Sequence, residues 1–347
     1  MGARIGFDHY TIAHRGLSPE AVLEFATARG FDGVQFLEPA ALDAGLAPAR
    51  LDAIRRHADR LGLYFEVGLP SPNPVRASRA VGRSVSAEEH ARSLAPHIDA
   101  VAALGCRYAR LYVGDRHDRF RTDVCWEAQQ SASAEVLRLL APQLRSLEVR
   151  VAIETHADLT TDETLALVDR VGADVAGVVV DTGNLLMRLD DPVRAAERLA
   201  PHVLATHVKD AVLAFTSRGL CWQARPIGSG VVPMGEVLTP LLAANPSLNL
   251  SVELHPRTYD LPIYDRSWLD FFPRLRPHEL AAVVRLAAEC ERRFADGFVP
   301  RPEVVESVPW AERDLDWLAR SLAYLRPLVA RLSVDGRPDG QKIPPRA

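Results

Sequence analysis

Cysteine is scarce in this chain and shows no pairing pattern. The four residues, Cys106, Cys125, Cys221 and Cys290, include no CxxC spacing. Neither a zinc knuckle nor a disulfide framework is expected, and free thiols point to a reducing, cytoplasmic compartment. Long apolar runs are missing too: no stretch nears the roughly 18 residues that a membrane helix needs. The opening MGARIGFDHYT reaches Asp8 before any such run begins, which is unlike a secretory signal. Positive charge is not in excess. With a formal net charge of −4, nothing electrostatic favours nucleic acid as a partner. The first strand-like segment is not followed by a GxGxxG turn, which counts against a dinucleotide site.

What the chain does have is an ordinary globular balance, 48% hydrophobic and 25% charged, enough to bury a large core. Its 347 residues would accommodate two domains, although α/β barrels commonly use about 200 to 250 residues or more as one unit. Three short, β-branched runs each end in a residue able to ligate a metal: VAI before Glu154, VVV before Asp181 and VLAT before His207. LNLSV before Glu253 repeats the arrangement. Parallel strands point the same way, so residues at equivalent C-terminal ends gather at one mouth.

Strand-like and helix-like segments alternate along the chain. Strands are expected at 4–8, 33–37, 63–67, 108–113, 149–154, 177–181, 203–207 and 249–253. Ser18 with Pro19 announces a first helix, and Thr160 with Glu163 forms a capping box before another. Gly30, Gly62, Gly105 and Gly172 each stand between a helix and the next strand, where a left-handed residue is wanted. Eight such units predict a closed (β/α)8 TIM barrel over residues 1–256, with an open doubly wound sheet as the alternative. Residues 257–335 read as a loop and a helical extension that closes or covers the barrel, and 336–347 as a disordered tail. Within the extension, residues 257–276 look loop-like, and two apolar stripes follow. One helix would close the barrel, and the other would cover a face or meet another subunit in a homo-oligomer.

Carboxylates with one imidazole suit a divalent ion such as Mn²⁺, Mg²⁺, Co²⁺ or Zn²⁺. Two carboxylates flanking a hydroxy-ketone on such an ion can also shuttle a proton next to the carbonyl while the ion stabilises the enediolate. Each residue alone has a plainer explanation, as a helix cap, a salt-bridge partner or a core histidine. Their equivalent places in successive βα units favour the joint role.

The segments IETHADLTTDE, VVVDTGN, THVKD, PIGSGVVPMGEVL and SVELHP resemble the sugar-phosphate isomerase/epimerase superfamily, the xylose isomerase-like barrels, over roughly residues 4 to 256. The resemblance implies one divalent metal ion, Mn²⁺ first, held by Glu154, Asp181, His207 and Glu253. It implies that Glu154 and Glu253 move the proton, and that the substrate is a small sugar or cyclitol. The superfamily includes isomerases, epimerases, dehydratases of inososes and of 3-dehydroshikimate, subunits that cleave C-glycosides, and endonucleases acting on apurinic DNA. Asn184 stands where the epimerases carry a histidine; it can bond a substrate hydroxyl but cannot act as acid or base. The extra histidines of the three-zinc endonucleases are missing, so DNA repair is not expected. The main expectation is therefore a metal-dependent sugar isomerase or epimerase, with a lyase using the same chemistry as the alternative. A non-catalytic sugar-binding or partner subunit is the competing class.

Further candidates surround the metal positions. His156, two residues beyond Glu154, faces the same side as a catalytic base or as an orienter of a ligand. Lys209 either meets a substrate oxyanion or forms a structural salt bridge. His255 and Arg257 bind a carboxylate or phosphate, or are rim charges. Glu66 and Gln35 are expected in the barrel interior, Glu66 as a substrate contact. The GSG at 228–230 is a turn or a phosphate cradle. The aromatic segment at 259–272 packs against the barrel, or forms a lid or a subunit contact.

Overall fold

The computed structural model describes residues 2–335, so the tail expected to be disordered, 336–347, lies outside them. Eleven strands occur among the described residues: β1 (Arg4–Asp8), β2 (Gly33–Phe36), β3 (Tyr64–Gly68), β4 (Tyr108–Leu111), β5 (Arg150–Glu154), β6 (Ala176–Asp181), β7 (Val203–Val208), β8 (Asp210–Thr216), β9 (Gly219–Arg225), β10 (Asn249–Val252) and β11 (Thr258–Leu261). Eight of them close a barrel in the order β1-β10-β7-β6-β5-β4-β3-β2, and every pair is parallel. The (β/α)8 expectation holds. The local chemistry that announced it is in place: Ser18 caps the helix Pro19–Ala28 by accepting from Ala21 N. Thr160 and Glu163 form a reciprocal capping box on the helix Thr161–Val171. No helix among the described residues is long and apolar enough to cross a membrane.

The barrel interior is unusually polar, and glycine makes room for it. Tyr64 on β3 lies opposite Gly33 on β2, and its ring passes over that residue and over Gly6 on β1 to hydrogen-bond Ser251 Oγ on β10 at 2.9 Å. A Cβ on either glycine would run into the Tyr64 side chain. One aromatic ring thus fills the space of several strand side chains. On the other side of the barrel the filling is small and apolar, from Ala152, Val179 and Ala205.

Two departures from the one-helix-per-strand pattern matter for the site. After β7 the chain forms an antiparallel hairpin, β8 and β9, with Ser217 and Arg218 at its two-residue turn. β11, inside the segment expected to be loop, adds to it as a third strand, and a short helix, Arg266–Leu269, follows. Asp210, at the hairpin's base, accepts from Ala211 N, Gly228 N, Gly230 N and Val232 N at 2.8–3.0 Å. The GSG is therefore a turn wrapped on a buried carboxylate. A Cβ at Gly230 would strike Asp210.

The helix Pro277–Ala295 packs on β8, with Leu213 N against Cys290 Sγ at 3.3 Å and Phe215 N donating to Glu291 at 3.0 Å. The longer helix Trp310–Asp335 packs against β1, β10 and the helix Met234–Ala244, which is the eighth helix position of the barrel. Buried Asp314 fixes it there by accepting from Arg15 Nε and Nη2 at 2.7 and 2.6 Å.

Gly33→Ala is expected to cost about 1–3 kcal/mol or more by overpacking, seen as a lower guanidinium midpoint by circular dichroism. In a Tyr64→Ala background the same change should cost little; an equal cost in both backgrounds would acquit the ring.

Candidate metal centre

Glu154, Asp181, His207 and Glu253 arrive from the C-terminal ends of β5, β6, β7 and β10. All four are buried, and one potential ligand atom of each lies within 4.8 Å of the others. His207 Nδ1 is 3.0 Å from Glu154 Oε1 and 3.2 Å from Glu253 Oε2. Metal bonds of roughly 2.1 Å place neighbouring ligand atoms about 3 Å apart, so these separations suit a shared coordination sphere. Charge gives a second test of fit. Asp8, Glu154, Asp181 and Glu253 are four carboxylates, and the cations bonded among them are Arg110, Lys209 and the His207 imidazolium. A divalent ion that displaced the His207 Nδ1 proton would bring four positive charges against the four carboxylates.

The partners of His207 orient it for such a role. Its Nε2 faces Gln35 Oε1 and lies 3.2 Å from Asp8 Oδ2. Acceptors therefore face both ring nitrogens: burial would lower the His207 pKa, but Glu253 and Glu154 raise it well above the usual value and keep the ring protonated, and a bound ion would take the place of the Nδ1 proton while Nε2 keeps its own. Gln35 Nε2 in turn donates to Glu66 Oε2 at 2.8 Å. Glu66 also accepts from Tyr108 Oη and from Asn249 Nδ2, the latter at 2.6 Å. These bonds saturate Glu66 below the cluster. It is absent from the cavity lining, contrary to the expected substrate contact, because three donors from neighbouring strands occupy it.

Asp181 accepts from Gly183 N and Asn184 N through Oδ1 at 3.0 and 2.9 Å, and from Asn184 Nδ2 through Oδ2 at 2.7 Å. The departure from histidine at 184 therefore leaves a residue that aims this carboxylate. Lys209 Nζ bridges Asp181 Oδ2 at 2.8 Å and Glu253 Oε2 at 2.7 Å. Burial would discharge the ammonium, but the two carboxylates outweigh it and keep it charged. For Glu154, burial pushes its pKa up, while Arg110 and His207 pull harder and hold it well below the carboxylate range. Asp181 moves the other way, because burial prevails over Lys209 and raises it to about 7.

Arg110, on β4, is the residue that sequence reasoning missed. Its Nε and Nη2 both reach Glu154 Oε2 at 2.6 Å, while the buried Nη1 has no hydrogen-bond partner among the described residues. The signal was slight: a lone arginine at an inward position of a short strand.

Above the cluster opens a cavity of about 290 Å³, lined by Glu253, Lys209, Asn184, His156, His255 and Arg257 among others. His156 Nδ1 lies 3.1 Å from Gly114 O, and His255 Nδ1 lies 3.0 Å from Pro256 O. A carbonyl only accepts, so both imidazoles carry their proton on Nδ1 and keep an Nε2 lone pair. Burial lowers both pKa values, His255 to about 4 with Lys209 adding to the effect. Arg257, with φ of 106°, leads from Glu253 into β11. The hairpin backs the cavity wall: wholly buried Trp222 stacks on His255, which lines it, with ring centres 5.6 Å apart. Its indole N–H donates to Gly183 O at 3.0 Å.

Residues 23–273 match the profile of the xylose isomerase-like TIM barrel family. The 3-oxo-isoapionate decarboxylase of Pectobacterium atrosepticum is 27% identical over 194 residues, which is 56% of this chain and 61% of that protein. The chain thus spans less than two thirds of this curated relative. Among solved structures, D-psicose 3-epimerase from Clostridium cellulolyticum H10 superposes with a TM-score of 0.57 at 13% identity, covering 83% of this chain and 99% of that one. L-ribulose 3-epimerase gives 0.53 at 20% identity, covering 86% and 99%. At such identities the structural likenesses speak for the fold alone.

Trp222→Phe retains a ring for His255 but leaves the buried Gly183 carbonyl without its donor. A loss of about 1–3 kcal/mol is expected, together with faster amide exchange in the segment after β6. Unchanged exchange there would show that the bond does not hold the loop.

Proposed function

The chain belongs to the xylose isomerase-like TIM barrel family, and from that premise we propose that it is a metal-dependent enzyme acting next to the carbonyl of a small sugar or cyclitol derivative. The convergence of four buried donors from four strands carries this reading. Glu154, Asp181, His207 and Glu253 would hold the ion, Mn²⁺ first, with Mg²⁺, Co²⁺ and Zn²⁺ also compatible. A bound ion would polarise the substrate carbonyl and stabilise negative charge on its oxygen. Around it, Glu154 and Glu253 would take and return the proton on the adjacent carbon, as an isomerase or epimerase requires. His156 and His255 offer neutral Nε2 atoms to substrate hydroxyls, and Asn184 and Lys209 flank Asp181. The free cysteines would stay reduced in the cytoplasm, where we expect the protein to work.

A second route to the same enediolate is favoured by the bonds on the two glutamates. Arg110 clamps Glu154 and Lys209 clamps Glu253, and carboxylates so stabilised are weak bases. Loss of CO₂ from a 2-hydroxy-3-oxo acid needs no base. The carbon–carbon bond breaks, its electron pair passes into the neighbouring carbonyl as an enediolate, and a proton that the Lys209 ammonium can supply returns to carbon. The decarboxylase relative supports this alternative.

Metal analysis of the purified protein should find one divalent ion per chain, and Asp181→Asn should strip it. Ketoses incubated in D₂O should take up deuterium beside the carbonyl, and 3-oxo sugar acids should release CO₂, according to which route operates. Glu154→Gln is expected to lower the rate by about 10²–10⁴ for proton transfer. Full activity in both Glu154→Gln and Glu253→Gln would refute the proton-transfer assignment.

A further inference from the structure

The cavity lining is rich in arginine. Five permanent cations, Arg76, Arg110, Arg116, Lys209 and Arg257, share it with three carboxylates, Asp8, Asp115 and Glu253, while Asp118, Glu154 and Asp181 answer Arg76, Arg110 and Lys209 from behind the lining. Each of the three carboxylates is already bonded. Asp8 meets His207 Nε2 at 3.2 Å, Asp115 meets Arg76 Nη1 at 3.0 Å, and Glu253 meets Lys209 at 2.7 Å.

The cations are not all satisfied in return. Arg110 is 5% exposed, yet its Nη1 has no hydrogen-bond partner among the described residues, and such an orphaned donor is costly to leave buried. Among the described residues Arg116 and Arg257 form no salt bridge. Arg116 lies with its guanidinium 4.7 Å from the centre of the Tyr259 ring, a stacking that orders the side chain without neutralising it. Arg257 occupies the left-handed backbone region at φ 106°, a conformation arginine seldom adopts. That backbone places it on the cavity rim, directly beyond Glu253.

We propose that the substrate is a sugar acid whose carboxylate is read by Arg110 Nη1 in the cavity and by Arg116 and Arg257 at its mouth. A planar carboxylate matches donors presented by guanidinium groups, which is why arginine rather than lysine recurs where this anion is bound. The proposal rests on the reading of the cavity as the place where substrate meets the metal ligands, and it assigns an acid substrate whichever of the two routes operates, where the decarboxylation route alone required one. Arg110 then has two duties: two of its nitrogens steady Glu154, and the third would be free to meet the ligand.

Titration calorimetry with erythronate, erythritol and erythritol 4-phosphate as probes tests the proposal, on protein loaded with Mn²⁺ and again after EDTA. Erythronate should bind at least about tenfold more tightly than erythritol in both states, since one charge-assisted hydrogen bond supplies that much. The metal-free arm matters because a hydroxy acid can chelate an ion without help from arginine. Arg110→Met and Arg257→Gln should each shrink the preference. Where Arg110→Met fails to fold, Arg257→Gln on the rim carries the test alone. Equal binding of acid and alcohol by the unaltered protein would overturn the proposal. So would a preference unchanged by every folded variant, or tighter binding of the phosphate than of the acid. Failure of the metal reading is separable: a protein that binds no ion yet still prefers erythronate would sink the proposed chemistry and uphold the acid.

Discussion

Holding several carboxylates together away from water is the constraint on which this structure depends. Glu154, Asp181 and Glu253 are buried side by side, with Asp8 close to the shared His207. Unpaired, such a cluster would repel itself or take up protons. Arg110, Lys209 and His207 are the protein's answer, and each needs its own supports. Lys209 follows β7 directly, where the hairpin begins, and Gln35 and Glu66 support His207 from below. The polar barrel interior, uncommon for a fold usually packed with branched aliphatic layers, follows from supporting that cluster. Tyr64, spanning from β3 to Ser251 with glycines beneath it, belongs to the same polar layer.

Much of this was legible before any coordinates. Period, caps and glycines placed the eight barrel strands because each βα unit repeats the same local physics. The four cluster residues stood out because each closes a β-branched run at the same point of its unit. Arg110 did not stand out, because nothing in YARLYV distinguishes an inward arginine from one that serves the rim. Glu66 was correctly sent to the interior, but its depth depends on Tyr108 and Asn249, which reach it from strands remote in sequence.

The hairpin was illegible for a different reason. The segment after His207 continues in short apolar alternation, and the βα rhythm leads one to expect a helix there. Only the pairing of β9 with β11, from a segment rich in prolines and aromatics, shows that a small sheet stands on the barrel mouth. The eighth barrel helix was likewise obscured, since the helix Pro277–Ala295 intervenes in the chain and packs on the hairpin instead.

Trp222 braces the rim. Its ring and its N–H tie together the segments that follow β6 and β10, while its own strand continues the chain from β7. Parting any two of these three would break an aromatic stack or uncover a carbonyl in a dry place. The entrance leans on the same ties: Tyr10 meets His255 edge-on, and Arg116 lies over Tyr259, which itself meets Trp222 edge-on. A guest would come to rest against one braced aromatic wall.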